Sequence, residues 1–471
     1  MYKLNKNNII LTEVKSMINI KIDSRKVKPG DTFVALKGTT VDGHDFINQA
    51  INNGAIKVIV EHDVDCQVPK EIVEDTNKWL TDYISTTYSK EANSINLIAV
   101  TGTNGKTTTA YLTYQILNKL GSKTAYIGTI GFYLPGEEVV EIPNTTPNIL
   151  DLYELILTAK EKGCQNVMME VSSHALHQER VKGLSFKVAA FTNLTQDHLD
   201  YHKTMENYLQ AKQLILKQLE GPMIINMDDQ YAPSWLDKYS NIKTFGLKGE
   251  DYKIISYRDT EHGTHIKFST PEKEYEVNTN LRSTFNVYNY LTSLSLVNSL
   301  GYSIEKIIDI TKEVYPPKGR CEQIKVKDGE AVIDYAHTPD AVEKIVKAFT
   351  ENKKGRVITL VGCGGDRDPK KRPIMGRIAS ENSDYVIFTS DNPRTEDPKR
   401  IMDDILAGVK TNNYEVELDR REAIKKALDM IQKNDVVLIL GKGHEDYQIL
   451  GHEKVHLDDA EEVRKYIDTH K

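Results

Sequence analysis

The sequence predicts an α/β protein of three domains. A small N-terminal α/β domain covers residues 1–92. A central domain, a parallel sheet around a phosphate loop, covers 93–317. A C-terminal Rossmann-like α/β domain covers 318–471. Three observations predict this. The chain has 471 residues, and domains average roughly 150. Short apolar runs alternate with helical patterns, which implies parallel strands joined by helical crossovers. A Gly-rich turn follows one such run directly and opens a helix.

Residues 1–92 mix short β-type runs (TFVAL, KVIV) with turn signals such as Pro29-Gly30 and Asp42-Gly43. The polar stretch 89–94 is expected to be a linker. In the central domain the apolar run 96–100 leads through the turn to a helix over 107–120. Further buried strands are expected at 167–171, 188–191 and 223–225. In the C-terminal domain the runs 357–361, 385–389 and 436–440 are separated by helical patterns, a doubly wound arrangement.

Composition excludes several classes. Lys plus Arg is 61 and Asp plus Glu 68, a net charge of −7, with 39% hydrophobic and 27% charged residues. This is an ordinary globular composition, and its mild acidity argues against bulk nucleic-acid or membrane-surface binding. Cys66, Cys164, Cys321 and Cys363 form no CxxC pair and fit no zinc framework, as expected of reduced thiols in a cytoplasmic protein. The N-terminal MYKLNKNNII has no signal-type apolar core, and no apolar run approaches the ~18 residues of a membrane span.

The sharpest motif is TGTNGKTT, residues 101–108. Gly102 and Gly105 let the backbone turn tightly, so that the amides of Thr103, Asn104 and Thr108 can face phosphate oxygens. Lys106 can pair with the β/γ-phosphates of ATP, and Thr107 can offer its hydroxyl to Mg²⁺. The general pattern GxxxxGK[ST] would put Gly at position 100, where Val100 stands. Glu170 ends the run VMME and Asp197-His198 follow another strand, so an acid and an imidazole are placed at carboxyl ends near this loop. Lys212 falls within the apolar helical stripe Tyr208, Ala211, Ile215 and Leu219. Two readings of Lys212 stand: a snorkelling side chain, or a neutral amine that takes up CO₂ as a metal-binding carbamate.

TGTNGKTT, MEVSSHAL, NLTQDHLDYH, DYAHTPDA, GCGGDRD, DNPR and GKGHEDYQ follow one another in that order. Together with DSRKVKPGDTFVALKG at 23–38 they resemble the Mur ligases of peptidoglycan synthesis, over nearly the whole chain and most of all the branch that adds meso-diaminopimelate. The resemblance implies an ATP-dependent amide ligase with Mg²⁺ and three domains. These would take UDP-N-acetylmuramoyl-L-alanyl-D-glutamate, ATP and the amino acid. A cytoplasmic monomer is expected, binding no nucleic acid and inserting in no membrane. The family's loop lacks the first Gly, which accounts for Val100. By resemblance Thr107, Glu170, His198 and carboxylated Lys212 hold metal, and with Lys106 these form the catalytic set. Ser24, Thr145, Thr146, Ser172, Gln178 and Arg180 match UDP-muramoyl-dipeptide positions. Asn286, Asn289, Arg320, Asp334 and His337 match ATP-contacting ones. The family usually has Gly where this chain has Ser283. If that backbone requires positive φ, Ser costs ~1 kcal/mol or more.

Three C-terminal motifs follow apolar strands, where an open α/β sheet forms its ligand crevice. Gly362-Cys363-Gly364 is not a nicotinamide fingerprint, because Arg367 stands where the third Gly belongs. Arg367, Asp391, Asn392, Pro393, Arg394, Gly441 and Glu445 match the diaminopimelate-binding positions. Arg can clamp a carboxylate, and Asp391 and Glu445 can hold ammonium groups. Lysine ends in a bare ammonium that would leave Arg394 unpaired. An L-lysine-adding ligase and a ligase with another acceptor, as in folylpolyglutamate synthases, are the alternatives within the superfamily. A non-catalytic ATP-binding scaffold is the alternative outside it.

Overall fold

The β-branched runs become strands buried on both faces, because helices return between them and cover the sheet. The computed structural model describes residues 9–10, 17–38, 41–137, 139–260, 263–351 and 353–470; most of the N-terminal MYKLNKNNII lies outside these. The protein is α/β, with parallel-rich sheets in N-terminal, central and C-terminal domains. By packing, the chain divides into two units: 1–253 with 291–310, and 254–290 with 311–471.

In the first unit, Ile20–Lys21, Thr32–Val34, Lys57–Val60 and Lys70–Ile72 form a small parallel sheet. Helix Thr76–Ala92 follows, capped by the Asp75 side chain on the Lys78 amide. Leu80, Ile84 and Ala92 on this helix are buried in one cluster with Leu97 and Ala99 of the central sheet. The stretch 89–94 is therefore not a linker. It is the end of this helix, and the Asn93 side chain ties it down by donating to the Gly183 carbonyl at 2.8 Å and accepting from the Ser185 amide at 2.8 Å. Its polar residues occupy the outer face of a packed helix, which composition alone cannot tell from a linker.

The central sheet places strands Thr124–Gly128, Asn166–Glu170, Asn96–Thr101, Phe186–Phe191, Met223–Asn226 and Ile242–Gly246 side by side, all parallel. Strand Asn96–Thr101 comes first in sequence and has later strands on both sides, so strand order reverses there. Such a switch point opens a crevice at the strands' carboxyl ends. The register sets Glu170 beside Val100 and Phe191 beside Thr101.

In the second unit the order is Glu322–Val326, Gly329–Asp334, Val436–Leu440, Val357–Val361, Tyr385–Phe388 and Tyr414–Val416. The first pair is antiparallel and the rest parallel. Arg420 and Asp459, both fully buried, pair in parallel at 2.8 and 2.7 Å. Arg420 also donates to the Leu440 carbonyl at 3.0 Å, tying a helix start to a strand end. Among the described residues no helix is long and apolar enough to cross a membrane.

Ser283, buried at the start of helix Thr284–Ser299, has φ of +79°. This is the left-handed region where an L side chain is strained. Its amide donates to Asp259 Oδ1 at 3.3 Å and its hydroxyl to the Arg282 carbonyl. Ser283→Gly is expected to stabilise the protein by about 1 kcal/mol, read as a higher midpoint in urea unfolding. A midpoint that falls would show that the hydroxyl's bond outweighs the strain.

Candidate active site

The phosphate loop spans the gap between strand Asn96–Thr101 and helix Lys106–Lys119. Gly102 has φ of +149°, and a Cβ there would lie 1.9 Å from Thr192 Oγ1, so only Gly fits. The next strand's exit braces the loop. The Thr103 amide donates to the Asn193 carbonyl at 2.8 Å, the Asn104 amide to Asn193 Oδ1 at 3.0 Å, and Thr192 Oγ1 to the Asn104 carbonyl at 2.7 Å. Gly105, with φ of +84°, begins the helix without a side-chain cap, and Thr108 lies buried in the first turn. That terminus carries positive partial charge.

Glu170 is fully buried and accepts four hydrogen bonds. Tyr126 OH at 2.6 Å and the Thr129 amide at 2.9 Å reach Oε1; Thr107 Oγ1 at 3.0 Å and Thr129 Oγ1 at 3.2 Å reach Oε2. Thr107 and Glu170 thus meet as the sequence predicts. A carboxylate beside a hydroxyl is a hard-oxygen pair that suits Mg²⁺. Among the described residues no group of three or more His, Cys, Asp or Glu is arranged to hold a metal. A Mg²⁺ bound at this pair would complete its shell from substrate oxygens, and the carboxylate and hydroxyl present fit that.

Lys106 Nζ donates to the Gly102 and Thr103 carbonyls at 2.9 and 2.8 Å, and Lys212 Nζ shares the Gly102 carbonyl at 2.8 Å. Lys212 is 1% exposed and lies over the Tyr208 ring. Burial, then the Lys106 charge, pushes its amine well below the usual lysine range, with Asp197 opposing. Snorkelling is excluded, since the side chain ends in the interior. His198 has φ of +53°, with Nε2 3.4 Å from Asp197 Oδ2. Its ring packs on His174 with centroids 4.9 Å apart.

The dipeptide-binding candidates fall into two places. Thr145 Oγ1 meets Thr129 Oγ1 at 3.0 Å, and the Thr146 hydroxyl donates to the Glu170 carbonyl at 2.8 Å and accepts from the Ser172 amide. Arg180 donates to the Thr146 carbonyl at 2.7 Å and to Gln178 Oε1 at 2.6 Å. Ser24 lies instead in a cleft of about 930 Å³ that also includes Asp23, Arg25, Lys28 and Glu154. There it donates to Gln49 Oε1 at 2.7 Å.

The remaining nucleotide candidates belong to the second unit. Asn289 donates to Asn286 Oδ1 at 2.9 Å. Asp334 accepts from the Cys321 and Ala336 amides at 2.8 Å each, and burial raises its carboxyl against the opposing Arg320 charge. Arg320 lies over the Tyr335 ring, and Tyr335 packs on His337.

The C-terminal crevice gathers its predicted set at strand ends. Asn392 Nδ2 donates to Glu445 Oε2 at 2.8 Å. Gly441 has φ of +111°, and a Cβ there would lie 2.6 Å from Asp391 Oδ2. Arg394 NH1 donates to the Gly365 carbonyl at 2.7 Å and Arg367 NH1 to the Asp366 carbonyl at 3.0 Å. Among the described residues neither guanidinium pairs with a carboxylate. Pro393 closes the turn, its carbonyl accepting from the Glu396 amide.

Sequence reasoning missed Tyr126 and Thr129 on Glu170, Asn193 under the loop, and Lys442. Asn193 was within reach, because it follows a strand at the switch point. Lys442 sits between two glycines in GKGHE, a context that reads as an exposed turn, yet it is 0% exposed.

The chain is similar to known proteins along nearly its whole length. The Mur ligase middle domain family matches residues 100–297. The family described as "Mur ligase, glutamate ligase domain" matches 319–443, and "Mur ligase family, catalytic domain" matches 17–91. The chain is 43% identical, over 98% of its length and 95% of the relative's, to UDP-N-acetylmuramoyl-L-alanyl-D-glutamate–2,6-diaminopimelate ligase of Aquifex aeolicus. It is 41% identical to the Bacillus cereus enzyme of that name, over 98% and 96%. A solved structure of such a ligase superposes with a TM-score of 0.68 at 32% identity, covering 96% of this chain and 94% of the other. A Thermotoga maritima MurF structure with ADP shares the fold at a TM-score of 0.71 and 20% identity, over 98% of each chain. The chain belongs to the Mur ligase family.

Proposed function

We propose that the protein joins meso-diaminopimelate to UDP-N-acetylmuramoyl-L-alanyl-D-glutamate at the expense of ATP, making the UDP-muramoyl-tripeptide of peptidoglycan synthesis in the cytoplasm. Full-length identity to ligases of that name supports the reaction. The observation that carries the choice of amino acid is local. Arg394, with no carboxylate partner among the described residues, stands in the same motif as Asp391 and Asn392, and Asn392 is bonded to Glu445. The end of diaminopimelate far from the reacting amine carries one ammonium and one carboxylate, and this crevice offers both complements. At that end L-lysine has a bare ammonium, which would leave the guanidinium unmatched.

Residues 1–92 serve the UDP-substrate, with Ser24 in its cleft, 93–317 the ATP, and 318–471 the amino acid. Thr145, Thr146, Ser172, Gln178 and Arg180 hold the dipeptide end near Glu170. Asn286, Asn289, Arg320, Asp334 and His337, all in the second unit, match nucleotide-contacting positions of the family. The glutamyl carboxylate attacks the γ-phosphate, forming an acyl phosphate and releasing ADP. The amine of diaminopimelate then attacks the acyl carbon and expels phosphate. Lys106 and the helix N-terminus neutralise charge building on the transferred group. Thr107, Glu170, His198 and carboxylated Lys212 would hold Mg²⁺, which when bound supplies further neutralisation of the phosphate oxygens. The Lys212 carbamate forms when the neutral Nζ attacks CO₂ and sheds a proton; the buried, charge-crowded position of Nζ favours that neutral amine.

Phosphate release should require ATP, Mg²⁺, the UDP-muramoyl-dipeptide and diaminopimelate together. Equal kcat/KM with L-lysine would overturn the assignment. Arg394→Ala should lower kcat/KM for diaminopimelate by about 100-fold, the loss of one charge-assisted hydrogen-bonding group, and an unchanged value would refute the clamp. Protein equilibrated with ¹³C-bicarbonate should show a carbamate carbon resonance that Lys212→Ala lacks, and short carboxylic acids should restore activity to that variant. A resonance persisting in Lys212→Ala would place the carbamate elsewhere.

A further inference from the structure

The C-terminal crevice contains a buried cation to which neither the motif comparison nor the mechanism gives a task. Lys442 follows strand Val436–Leu440 by way of Gly441 and is fully enclosed. Its Nζ bonds the Tyr447 carbonyl, reaches Glu445 Oε2 at 3.2 Å and Asn392 Oδ1 at 3.4 Å, and lies over the Tyr447 ring. Asn392 is fixed in turn, accepting from the Ile449 amide at 2.9 Å and donating to the same Glu445 oxygen at 2.8 Å. Glu445 Oε2 therefore has two donors, whereas Oε1 has none among the described residues. A carboxylate pinned through one oxygen presents the other in a fixed direction.

We propose that Lys442 is a positioning residue for amino-acid selection: it orients Glu445 through Oε2 so that Oε1 faces the incoming ammonium group. Lys442 also adds one positive charge to the crevice, which opposes lysine, a ligand of net positive charge, more than diaminopimelate, whose two ammonium and two carboxylate groups cancel. The inference rests on the reading of this crevice as the diaminopimelate site.

The test is steady-state kinetics of Lys442→Met, Glu445→Gln and the double variant, with diaminopimelate and L-lysine each as acceptor. Wild type must first use diaminopimelate; if it does not, the functional reading fails before this one is reached. Lys442→Met should raise KM for diaminopimelate by about tenfold or more, as expected when one charge of a buried pair is removed. KM for ATP should stay unchanged, and discrimination against L-lysine should narrow. In the Glu445→Gln background the same substitution should add little, because its action runs through Glu445. Full additivity, or equal rises in KM for ATP and diaminopimelate, would overturn the proposal in favour of a structural role. Should Lys442→Met fold poorly, Lys442→Gln, which keeps a donor, carries the same cycle, with thermal unfolding of each variant as the control.

Discussion

The parallel register between strands Asn96–Thr101 and Asn166–Glu170 is the constraint on which the central site depends. It sets Glu170 beside Val100, one residue before the phosphate loop begins. A slip of one residue would turn Glu170 to the opposite face. The register is secured by burial: Leu97, Ala99, Val167 and Met169 all enter one core cluster. The carboxylate is then immobilised by Tyr126, Thr129 and Thr107. A carboxyl group with no solvent exposure needs such a set of donors to replace the water hydrogen bonds lost on burial. Precision at the site thus comes from apolar packing two residues away and from hydroxyls on neighbouring strands.

Charge burial recurs in both units, with opposite solutions. In the second unit, Arg420 is matched by Asp459, and Arg372 by Glu396 and Asp404. These pairs fasten helices to strand ends, Arg420 through the Leu440 carbonyl and Arg372 through the Gly364 carbonyl. In the first unit Lys212 has no bonded carboxylate among the described residues; it meets a carbonyl, an aromatic face and the Lys106 charge, with Asp197 acting only through space. A cation in that setting is costly, which is why its neutral form is favoured.

The sequence exposes most of this fold because its strands are buried on both faces and read as uninterrupted apolar runs. The strands expected at 96–100 and 357–361 are observed at Asn96–Thr101 and Val357–Val361. Strain at Ser283 was an expectation only through the resemblance to a family that usually has Gly there, and its φ is positive. Other features depend on long-range pairing. Tyr126 and Thr129 reach Glu170 only because their strand lies beside Asn166–Glu170, although 41 residues separate Thr129 from it. The segment 89–94 looked like a linker because its composition carries no sign that a helix face beneath it is buried. Lys442 was hidden for a related reason, since burial of a lysine between glycines follows from the strand after it folding back over it.

Net charge illustrates how little a sum says about a site. The chain is acidic by seven charges, yet among the described residues Lys212, Arg367 and Arg394 bond carbonyl oxygens and no carboxylate. Surface acids satisfy surface bases elsewhere, as in Lys344 with Asp340 and Lys425 with Asp429, and each such exposed pair contributes little. A cation withheld from pairing keeps its attraction for an incoming anion. A carboxylate pinned through one oxygen, as Glu445 is, keeps its attraction for an incoming cation. On the proposed function, a ligand with both charges at the end far from its reacting amine is selected because Arg394 and Glu445 follow different strands of one parallel sheet, and a ligand lacking either charge there leaves a desolvated group unmatched.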